Sequence, residues 1–400
     1  MKKLNKLASV ILAASVALVS CEKDPKTTTP DQIQGIVVSS NITENTTWTK
    51  GEQYVLTNRV AVEAGVTLTI EPGALIKGLA GEGANATALV IARGATIIAD
   101  GTEQEPIIFT SYADQIAPGM TVSPNLSADL SGLWGGLIIL GNAHASIKGG
   151  NLEASIEGIP ASDNNGKYGG TNDADSSGVL RYVSVRHGGA NIGEGNEING
   201  ITLGGVGSGT VIENIEVVAN QDDGIEWFGG TVNVTNAVVW NAGDDAIDTD
   251  QAWAGTLDNF VVINPGDEGF ELDGPEAAYT STGHTIINGT LYADGASGLV
   301  DLDDNTDVRM SAIYFTNLSE GQDVEGYGPN AEKEEVGFSV NTNGYFIAGW
   351  EATLPEGKVL GDFFKQGSDQ ATVEVATRKN AGANSAMMSW TWAGQAGMLN

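Results

Sequence analysis

Two segments early in the chain share one alternating pattern of apolar and polar positions. Residues 66–76 have the sequence Val-Thr-Leu-Thr-Ile-Glu-Pro-Gly-Ala-Leu-Ile, and residues 89–98 have the sequence Leu-Val-Ile-Ala-Arg-Gly-Ala-Thr-Ile-Ile. A shift of 21 residues places Leu68 on Leu89 and superposes the Gly-Ala pair that each segment contains. Alternation with a period of two predicts short strands with one buried face, and the Gly-Ala pair predicts a corner between two strands.

An acidic motif recurs three times later in the chain. Residues 221–226 (Gln-Asp-Asp-Gly-Ile-Glu), 243–248 (Gly-Asp-Asp-Ala-Ile-Asp) and 266–271 (Gly-Asp-Glu-Gly-Phe-Glu) follow one another at intervals of 22 and 23 residues. Periods in the twenties are typical of solenoids, in which each repeat forms one turn of chain. Stacked turns would hold equivalent carboxylates about 4.8 Å apart, where two charges repel by roughly 3–4 kcal/mol at an effective dielectric of 20. Such a column requires cations, shared protons or strong solvation.

Asparagines occupy equivalent positions in four repeats of the same region, at Asn214, Asn236, Asn259 and Asn288. This spacing predicts a ladder in which stacked side-chain amides bond to one another. The longer interval before the fourth asparagine predicts a lateral loop, and polar stretches at 112–130 and 149–177 predict two more. A competing alignment, based on the asparagines that precede the acidic motifs, would place Asp223 level with Asp244.

The composition favours β structure and excludes several kinds of partner. The 400 residues include 54 Gly and carry a formal charge of −32. Between Gly188 and Val308 there are 22 Asp or Glu and no Lys or Arg. Nucleic acids and anionic membrane surfaces require basic patches, so neither is expected as a partner. Cations, neutral sugars and basic partners suit this charge better.

The first fifty residues predict an export signal and a tether. Three lysines precede a short apolar run at 8–19, which predicts a signal peptide over residues 1–20. The run leads into Leu-Val-Ser-Cys, which resembles the bacterial lipobox and implies that Cys21 carries the lipid, palmitate included, that anchors the protein to the membrane. Residues 21–50 are then expected to form a polar tether that leads into the fold. A plain secretory signal with an incidental cysteine is the alternative.

The location follows from the same segment. The acidic residues directly after Cys21 resemble the surface-export signal of Bacteroidota lipoproteins. That resemblance implies a lipid-anchored protein of the outer membrane that is exposed at the cell surface. An outer-membrane protein that faces the periplasm is the competing interpretation.

Three sets of residues carry a family resemblance. They are Arg-Tyr-Val-Ser-Val-Arg-His-Gly-Gly at 181–189, Asn-Glu-Ile-Asn-Gly-Ile-Thr-Leu-Gly-Gly-Val-Gly at 196–207, and the acidic motifs. Together they resemble the right-handed parallel β-helix of the pectate-lyase-like superfamily, and more closely a group of bacterial outer-membrane lipoproteins of that fold. The resemblance implies an all-β solenoid over residues 51–350, with lateral loops, and a C-terminal capping segment at 351–400, where Trp390 and Trp392 are expected to cover the open end.

The acidic motifs are the candidate metal site. A hard cation such as Ca²⁺ takes six to eight oxygen ligands, which neighbouring turns can supply as carboxylates and carbonyl groups. The candidate ligands are Asp222, Asp223, Asp244, Asp245, Asp248, Asp250, Asp267, Glu268, Glu271 and Asp273, and Asp301, Asp303 and Asp304 extend the set. A solvated acidic face that only promotes solubility is the alternative.

Catalysis is a second interpretation of the same residues. Asp223, Asp244 and Asp245 resemble the acidic motifs of polygalacturonase-type glycosidases, which share the β-helix and hydrolyse with inversion. Inversion requires two carboxyl groups about 6.5–9.5 Å apart. The downstream basic motif of that family is only partly matched, by Gly-His-Thr around His284, and Arg309 has no Lys two residues on. A lyase would instead need a basic proton acceptor, which the acidic stretch lacks.

Aromatic residues beside the acids point to a glycan, because sugars are often held by ring stacking together with hydrogen bonds. The candidate ligand-binding residues are Trp227, Trp253, Glu226, Asp248 and Glu271, with Trp240 expected to lie in the interior. The sequence therefore predicts a surface lipoprotein with a cation-dependent, glycan-binding face. A polysaccharide hydrolase or lyase and a structural or adhesive envelope protein are the alternatives.

Overall fold

The computed structural model describes residues 33–192, 198–302, 306–325, 346–365 and 367–399. Most of the ordered elements in these ranges are short parallel strands. Each strand pairs with an equivalent strand one turn earlier and one turn later, as in a solenoid.

Eight strands form one sheet, which we call the first face. Within it the strands are hydrogen-bonded in the order in which they occur along the chain. They are β4 (Arg59–Val62), β7 (Ala88–Ile91), β10 (Leu137–Leu140), β14 (Ile201–Gly204), β16 (Ile225–Phe228), β18 (Ile247–Asp250), β20 (Phe270–Leu272) and β22 (Asp301–Leu302).

A second sheet contains 17 strands among the described residues. The short ones before residue 112 are β1 (Ile36–Val38), β2 (Thr46–Trp48), β3 (Gln53–Leu56), β5 (Thr67–Ile70), β6 (Leu75–Gly78), β8 (Thr96–Asp100) and β9 (Ile107–Ser111). The long ones are β13 (Gly178–Arg186), β15 (Val211–Val218), β17 (Asn233–Trp240), β19 (Thr256–Ile263) and β21 (His284–Tyr292). The last are β23 (Val308–Ser311), β24 (Tyr314–Thr316), β25 (Phe346–Ala348), β26 (Trp350–Ala352) and β27 (Thr372–Glu374).

The remaining elements are small. An antiparallel pair, β11 (Ala154–Ser155) and β12 (Lys167–Tyr168), lies in a lateral loop. The α-helix α1 spans Trp392–Gln395, and 3₁₀ turns span Gly83–Asn85, Asn164–Gly166, Leu360–Asp362, Ser368–Ala371 and Ser385–Met388.

Each long strand bends at one residue in the left-handed region. The bends are at Tyr182, Asn214, Asn236, Asn259 and Asn288, with φ between 49° and 59°. Asparagine tolerates this conformation better than most residues do, which explains why it recurs there. We call the half-strands before the bend the second face and those after it the third face. One coil therefore has three faces, as expected of a parallel β-helix.

The predicted asparagine ladder is confirmed over three coils. Asn236 donates from Nδ2 to Asn214 Oδ1 at 2.9 Å, and Asn259 donates to Asn236 Oδ1 at 2.6 Å. Asn288 departs from the pattern and donates to Asp258 Oδ1 at 2.7 Å. The ladder stabilises the bends by satisfying side-chain amides that are partly removed from water.

Apolar side chains from the three faces fill the interior as one continuous core. Trp227 and Trp253 lie inside it, with less than 2 % of each side chain exposed and ring centroids 4.6 Å apart. Burying a large apolar side chain contributes roughly 1.5–3 kcal/mol. Both tryptophans were predicted to lie on the surface as ligand contacts, and this is wrong. Alternation along β16 explains Trp227: Ile225 points inward, so Trp227 does too.

The outside of the first face changes character along the solenoid. On β7 and β10 the outward side chains Val90, Ile138 and Leu140 are buried beneath a lateral loop that contributes Ile156 and Tyr168. On the later strands of the same sheet the outward positions are acidic. The loop thus covers the apolar part of this sheet and adjoins the acidic part.

The C-terminal residues do two things. Phe363 and Phe364 close the end of the core, where Phe364 packs against Trp350 and Phe315. The segment after β27 then returns along the outside of the third face, where Trp392 lies edge-on to Trp240 at 5.8 Å. Trp392 was expected to cover the open end, and Trp240 was expected in the interior. Both expectations are wrong, because the third face carries outward apolar residues that need covering.

Strands begin earlier than the solenoid was expected to. β1 and β2 lie before residue 51, within the segment predicted as a tether, and β1 pairs with β3. The predicted signal peptide and Cys21 lie outside the described residues, as do Asp303 and Asp304. In the described part of the chain, none of the helices has the length and apolar character needed to cross a membrane.

Candidate functional site

The pairing register brings the acidic motifs into columns on the first face. Ile225 pairs with Ile247, which pairs with Phe270, so Asp222 is level with Asp244 and Asp223 with Asp245. Two hydrogen bonds agree: Asp245 N–H donates to Asp223 Oδ1 at 3.0 Å, and Glu268 N–H donates to Asp245 Oδ1 at 2.6 Å. The competing alignment, which would place Asp223 level with Asp244, is therefore wrong.

The competing alignment failed because the asparagines on which it rested are not equivalent. Asn241 and Asn264 occupy the left-handed position directly after their strands, and Asn264 donates to Asn241 Oδ1 at 2.6 Å. In the preceding coil that position belongs to Ala219, and Asn220 is the next residue. A single-residue offset was enough to misplace the acids.

A further column consists of Glu226, Asp248, Glu271 and Asp301, which are direct register partners on β16, β18, β20 and β22. Their neighbours in each strand point into the core, so these side chains point outward. We define the acidic ladder as this column and the two columns beside it: Asp222, Asp223, Glu226, Asp244, Asp245, Asp248, Asp267, Glu268, Glu271 and Asp301.

Two groups of carboxylates in the ladder come close enough to share an ion. Oxygens of Asp222, Asp223 and Asp244 lie within 4.8 Å of one another, and so do oxygens of Asp223, Glu226 and Asp248. Asp223 belongs to both groups. Asp223 and Glu226 are each only 7 % exposed, so these charges cannot rely on bulk water for stabilisation.

Burial and mutual repulsion shift the acidity of the ladder. Burial, reinforced by the charges of Asp222 and Asp244, raises the pKa of Asp223 well above its usual range. The same two causes raise the pKa of Glu226 and that of Asp248. Without a cation, the ladder therefore holds protons at neutral pH.

Two pairs in the ladder share those protons. A hydrogen bond from Asp248 lowers the pKa of Glu226 and so partly opposes the effect of its burial. Burial and then a hydrogen bond with Glu271 raise the pKa of Asp245 to about 10. Each pair behaves as one carboxylic acid that donates to one carboxylate.

Beside the ladder lie two buried asparagines that sequence reasoning missed. Asn199 donates from Nδ2 to Glu226, and Asn220 donates from Nδ2 to the carbonyl oxygen of Asp223 at 2.8 Å. Each is 1 % exposed, and within the described ranges the Oδ1 atom of each has no hydrogen-bond partner. Asn199 lies in the Asn-Glu-Ile-Asn segment that carried the family resemblance, and that was the available signal.

Asp250 continues the acidic surface toward the lateral loops. Burial and the charge of Glu276 raise its pKa to about 7. Glu276 accepts from Gln251 Nε2 at 3.1 Å, and Gln251 Oε1 accepts from the hydroxyl of Tyr168 at 2.8 Å. Of the other predicted ligands, Asp267 is exposed, whereas Glu268 and Asp273 are half-buried.

The basic residues discussed as partial glycosidase motifs are not at the ladder. His284 lies inside the core against Trp253, with ring centroids 5.2 Å apart, and burial lowers its pKa to about 3. Arg309 pairs with Asp307 at 3.3 Å. Among the described residues, no Lys or Arg forms a salt bridge with Asp223, Asp244 or Asp245.

Stacked parallel coils around one apolar core, with acids aligned on one outer face, define a parallel β-helix protein. Residues 40–395 match the family model described as the pectate-lyase like beta helix domain, and the chain therefore belongs to that family. The comparisons find no match among curated proteins and none among solved structures.

Proposed function

We propose that this protein is an outer-membrane lipoprotein whose acidic ladder binds Ca²⁺ and, through the bound ion, a glycan. The observation that carries the proposal is the pair of three-carboxylate groups that meet at Asp223, with oxygens within 4.8 Å of one another. A cation between them would replace repulsion by attraction and would lower the raised pKa values of the ladder.

The donor set favours a hard cation. Every ligand atom in the two groups is a carboxylate oxygen, and such sites suit Ca²⁺ or Mg²⁺ and not zinc. Ca²⁺ accepts six to eight oxygens in flexible geometry, whereas Mg²⁺ demands a near-ideal octahedron. Asn199 Oδ1 lies on a side chain that already contacts Glu226, and it offers a neutral oxygen to the same ion.

The glycan would contact the exposed side of the ladder. Asp248 and Glu271 are partly exposed and can accept hydrogen bonds from sugar hydroxyl groups. With Trp227 and Trp253 buried, the aromatic surface must come from elsewhere. Tyr279, in the lateral loop that also carries Glu276, stacks on His144 with ring centroids 4.8 Å apart, and both side chains are partly exposed. Rings of this kind hold the apolar faces of sugars.

Calcium binding is tested by thermal unfolding in EDTA and in Ca²⁺. We expect Ca²⁺ to raise Tm, because an ion held only by the folded ladder stabilises it by about 2.7 kcal/mol at a hundredfold excess over Kd. Asp223→Asn should abolish the shift, since Asp223 belongs to both groups. Asp129→Asn, at an exposed acid of a lateral loop, is the matched control and should retain it. An equal shift in Asp223→Asn would place the ion elsewhere, and no shift in the wild type would remove the proposal.

The anchor is tested separately, because it rests on the sequence alone. We expect Cys21→Ala to leave the protein soluble or mislocalised, as judged by membrane fractionation. Protease treatment of intact cells would then distinguish surface display from a periplasmic orientation. Wild-type levels of the variant in the outer membrane would contradict a lipid anchor at Cys21.

Hydrolysis of a polysaccharide is the second candidate, and one observation favours it. Asp245 is protonated at neutral pH beside an ionised neighbour, which is the pairing that general-acid catalysis requires. A bound cation favours ionisation of the same carboxyl groups, so Ca²⁺ occupancy and acid catalysis compete. Product release from any polysaccharide that is lost in a folded Asp244→Asn or Asp245→Asn variant would establish the hydrolase in place of the binding protein.

A further inference from the structure

A groove on the outside of the third face is separate from the acidic ladder. It has a volume of about 550 Å³ and lies where the returning C-terminal segment meets the last coils. Its walls include Tyr292, Tyr314, Asp294, Asn317 and Arg378. The ladder lies on the outside of the first face, so the two sites are on different faces of the solenoid.

Arg378 is unusual among the arginines. The other five described arginines each have a carboxylate within 4.0 Å: Arg59 with Asp163, Arg93 with Glu153, Arg181 with Asp100, Arg186 with Glu216, and Arg309 with Asp307. Arg378 instead donates from Nη1 to the carbonyl oxygen of Ala383 at 2.6 Å. Within the described ranges it forms no salt bridge, although the chain carries a formal charge of −32. Its remaining donors line the groove.

The position of Arg378 is built by its surroundings. Its side chain crosses Gly382, where a Cβ would come within 2.7 Å of Arg378 Cδ and within 3.0 Å of Tyr314 Cβ. Gly382 has a φ of +95°, which glycine adopts without strain. The neighbouring Ala383 N–H donates to Thr290 Oγ1 at 2.9 Å and so fixes the loop against β21.

The two tyrosines and two polar side chains complete the groove. Burial raises the pKa of Tyr292, and the charge of Arg378 opposes this, which brings the phenol and the guanidinium into one electrostatic neighbourhood. Tyr314 is oriented by a hydrogen bond of 2.8 Å between its hydroxyl and Thr353 Oγ1. Across the groove Asn317 donates from Nδ2 to Asp294 Oδ2 at 2.5 Å.

We infer that this groove binds a saccharide unit that carries one carboxylate, with Arg378 holding the carboxylate and the tyrosines contacting the sugar ring. One cation without a carboxylate partner calls for one anion, and a guanidinium matches the geometry of a carboxylate in two parallel hydrogen bonds. Tyrosine rings and a paired carboxylate and amide suit a ring with several hydroxyl groups. A volume of 550 Å³ falls in the range of small-ligand sites.

Calorimetry or ligand-observed NMR with glucuronate and glucose tests the inference, with EDTA present so that the ladder is not involved. We expect glucuronate to bind at least about tenfold more tightly than glucose, because the charge-assisted contact is made only by the acid. Arg378→Gln should remove this preference. Arg309→Gln is the matched control: it removes one exposed arginine that is already paired with Asp307, and it should retain the preference.

A second variant guards against loss of folding. Asp294→Asn removes the one negative charge of the groove and should tighten glucuronate binding several-fold while leaving glucose unchanged, a gain that unfolding cannot produce. Acetate distinguishes the sugar from a bare anion. Equal affinity for acetate and glucuronate, equal affinity for glucose and glucuronate, or unchanged binding in Arg378→Gln would each overturn the inference. Loss of Ca²⁺ binding at the ladder would leave it standing.

Discussion

Two clusters of buried charge, one on the third face and one on the first, are built on opposite plans. On the third face Arg186 and Glu216 are both fully buried, with Arg186 Nη2 3.3 Å from Glu216 Oε2. On the first face the acidic ladder brings Asp223 and Glu226 together beneath the surface with no basic residue of the described chain in a salt bridge to either.

The Arg186–Glu216 cluster is complete within the protein. Ser184 Oγ donates to Glu216 Oε2 at 2.6 Å and accepts from Arg186 Nε at 2.7 Å. Ala393 N–H donates to Glu216 Oε1 at 2.9 Å, and Trp392 lies over the guanidinium, 5.1 Å from its carbon to the ring centroid. Opposite charges cancel, and these hydrogen bonds compensate for lost hydration.

The ladder lacks that internal balance. Its carboxyl groups respond by holding protons, which explains why burial and repulsion raise so many of their pKa values. The difference between the clusters separates structure from binding: a balanced cluster stabilises the fold, whereas an unbalanced one depends on protons or ions from solution. Each prediction below tests that distinction, from the largest expected effect to the smallest.

Neutralising the balanced cluster should cost the most. Glu216→Gln leaves Arg186 buried without a counter-charge, and we expect a loss of about 3–5 kcal/mol in the free energy of unfolding. Urea titration followed by circular dichroism measures it. Glu213→Gln is the matched control on the same strand, because Glu213 forms an exposed pair with Arg181 at 2.9 Å and should contribute less than about 1 kcal/mol. A similar small loss in both variants would contradict the structural role of the buried pair.

Neutralising the unbalanced cluster should have the opposite sign. In EDTA at pH 7.5, Asp223→Asn should raise the free energy of unfolding by about 1 kcal/mol or more, because the variant no longer has to protonate a carboxyl that ionises freely in the unfolded chain. The gain should vanish near pH 4, where the wild-type carboxyl is protonated in both states. Destabilisation at pH 7.5 would mean that the ladder is internally balanced after all.

The pH dependence of the wild type follows the same logic. For Asp250 the pKa is raised from 3.8 to about 7, so the folded state binds more protons than the unfolded state between these values. Stability in EDTA should therefore fall as pH rises from about 4 to about 7, and Asp245 should extend the fall toward pH 10. Ca²⁺ should flatten the profile by favouring the ionised ladder. Tm values across this range, with and without Ca²⁺, provide the measurement, and a profile in EDTA that rises with pH would contradict it.

The smallest expected effects concern the aromatic residues. Trp227→Phe should leave glycan affinity within about twofold, because the ring is enclosed by the core, while costing roughly 1 kcal/mol or more of stability. Tyr279→Ala should instead weaken glycan binding with little change in Tm, since Tyr279 is partly exposed in a lateral loop. A glycan array with both variants checks the contrast, and an effect confined to Trp227→Phe would reverse it.

Repetition made the solenoid predictable from the sequence. The alternation near Leu68 and Leu89 corresponds to strands β5 and β7, and the intervals of 22 and 23 residues correspond to the register of β16, β18 and β20. The asparagine ladder was equally visible, because a side chain that bonds to its own copy must recur with every coil. Local periodicity therefore carried the parallel β-helix and the alignment of the acids.

Features that involve only one copy could not be predicted in this way. Trp227 lies in the core because it shares the parity of Ile225, yet the nearby acids suggested a surface position. Asn199 contacts Glu226 through the pairing of separate coils, and no spacing rule connects them. The return of Trp392 to the third face depends on contacts between residues more than a hundred positions apart.

That return has a consequence for the timing of folding. The backbone of Ala393 completes the hydrogen bonds of Glu216, 177 residues earlier in the chain. Coils that pair with their immediate predecessors can form one after another as the polypeptide emerges, but the pocket around Arg186 stays open until the final residues arrive. A chain that crosses a membrane from its N-terminus would thus assemble its coils in sequence and close this buried ion pair last, and a truncation after β27 would leave a formed solenoid with an exposed, unfinished side.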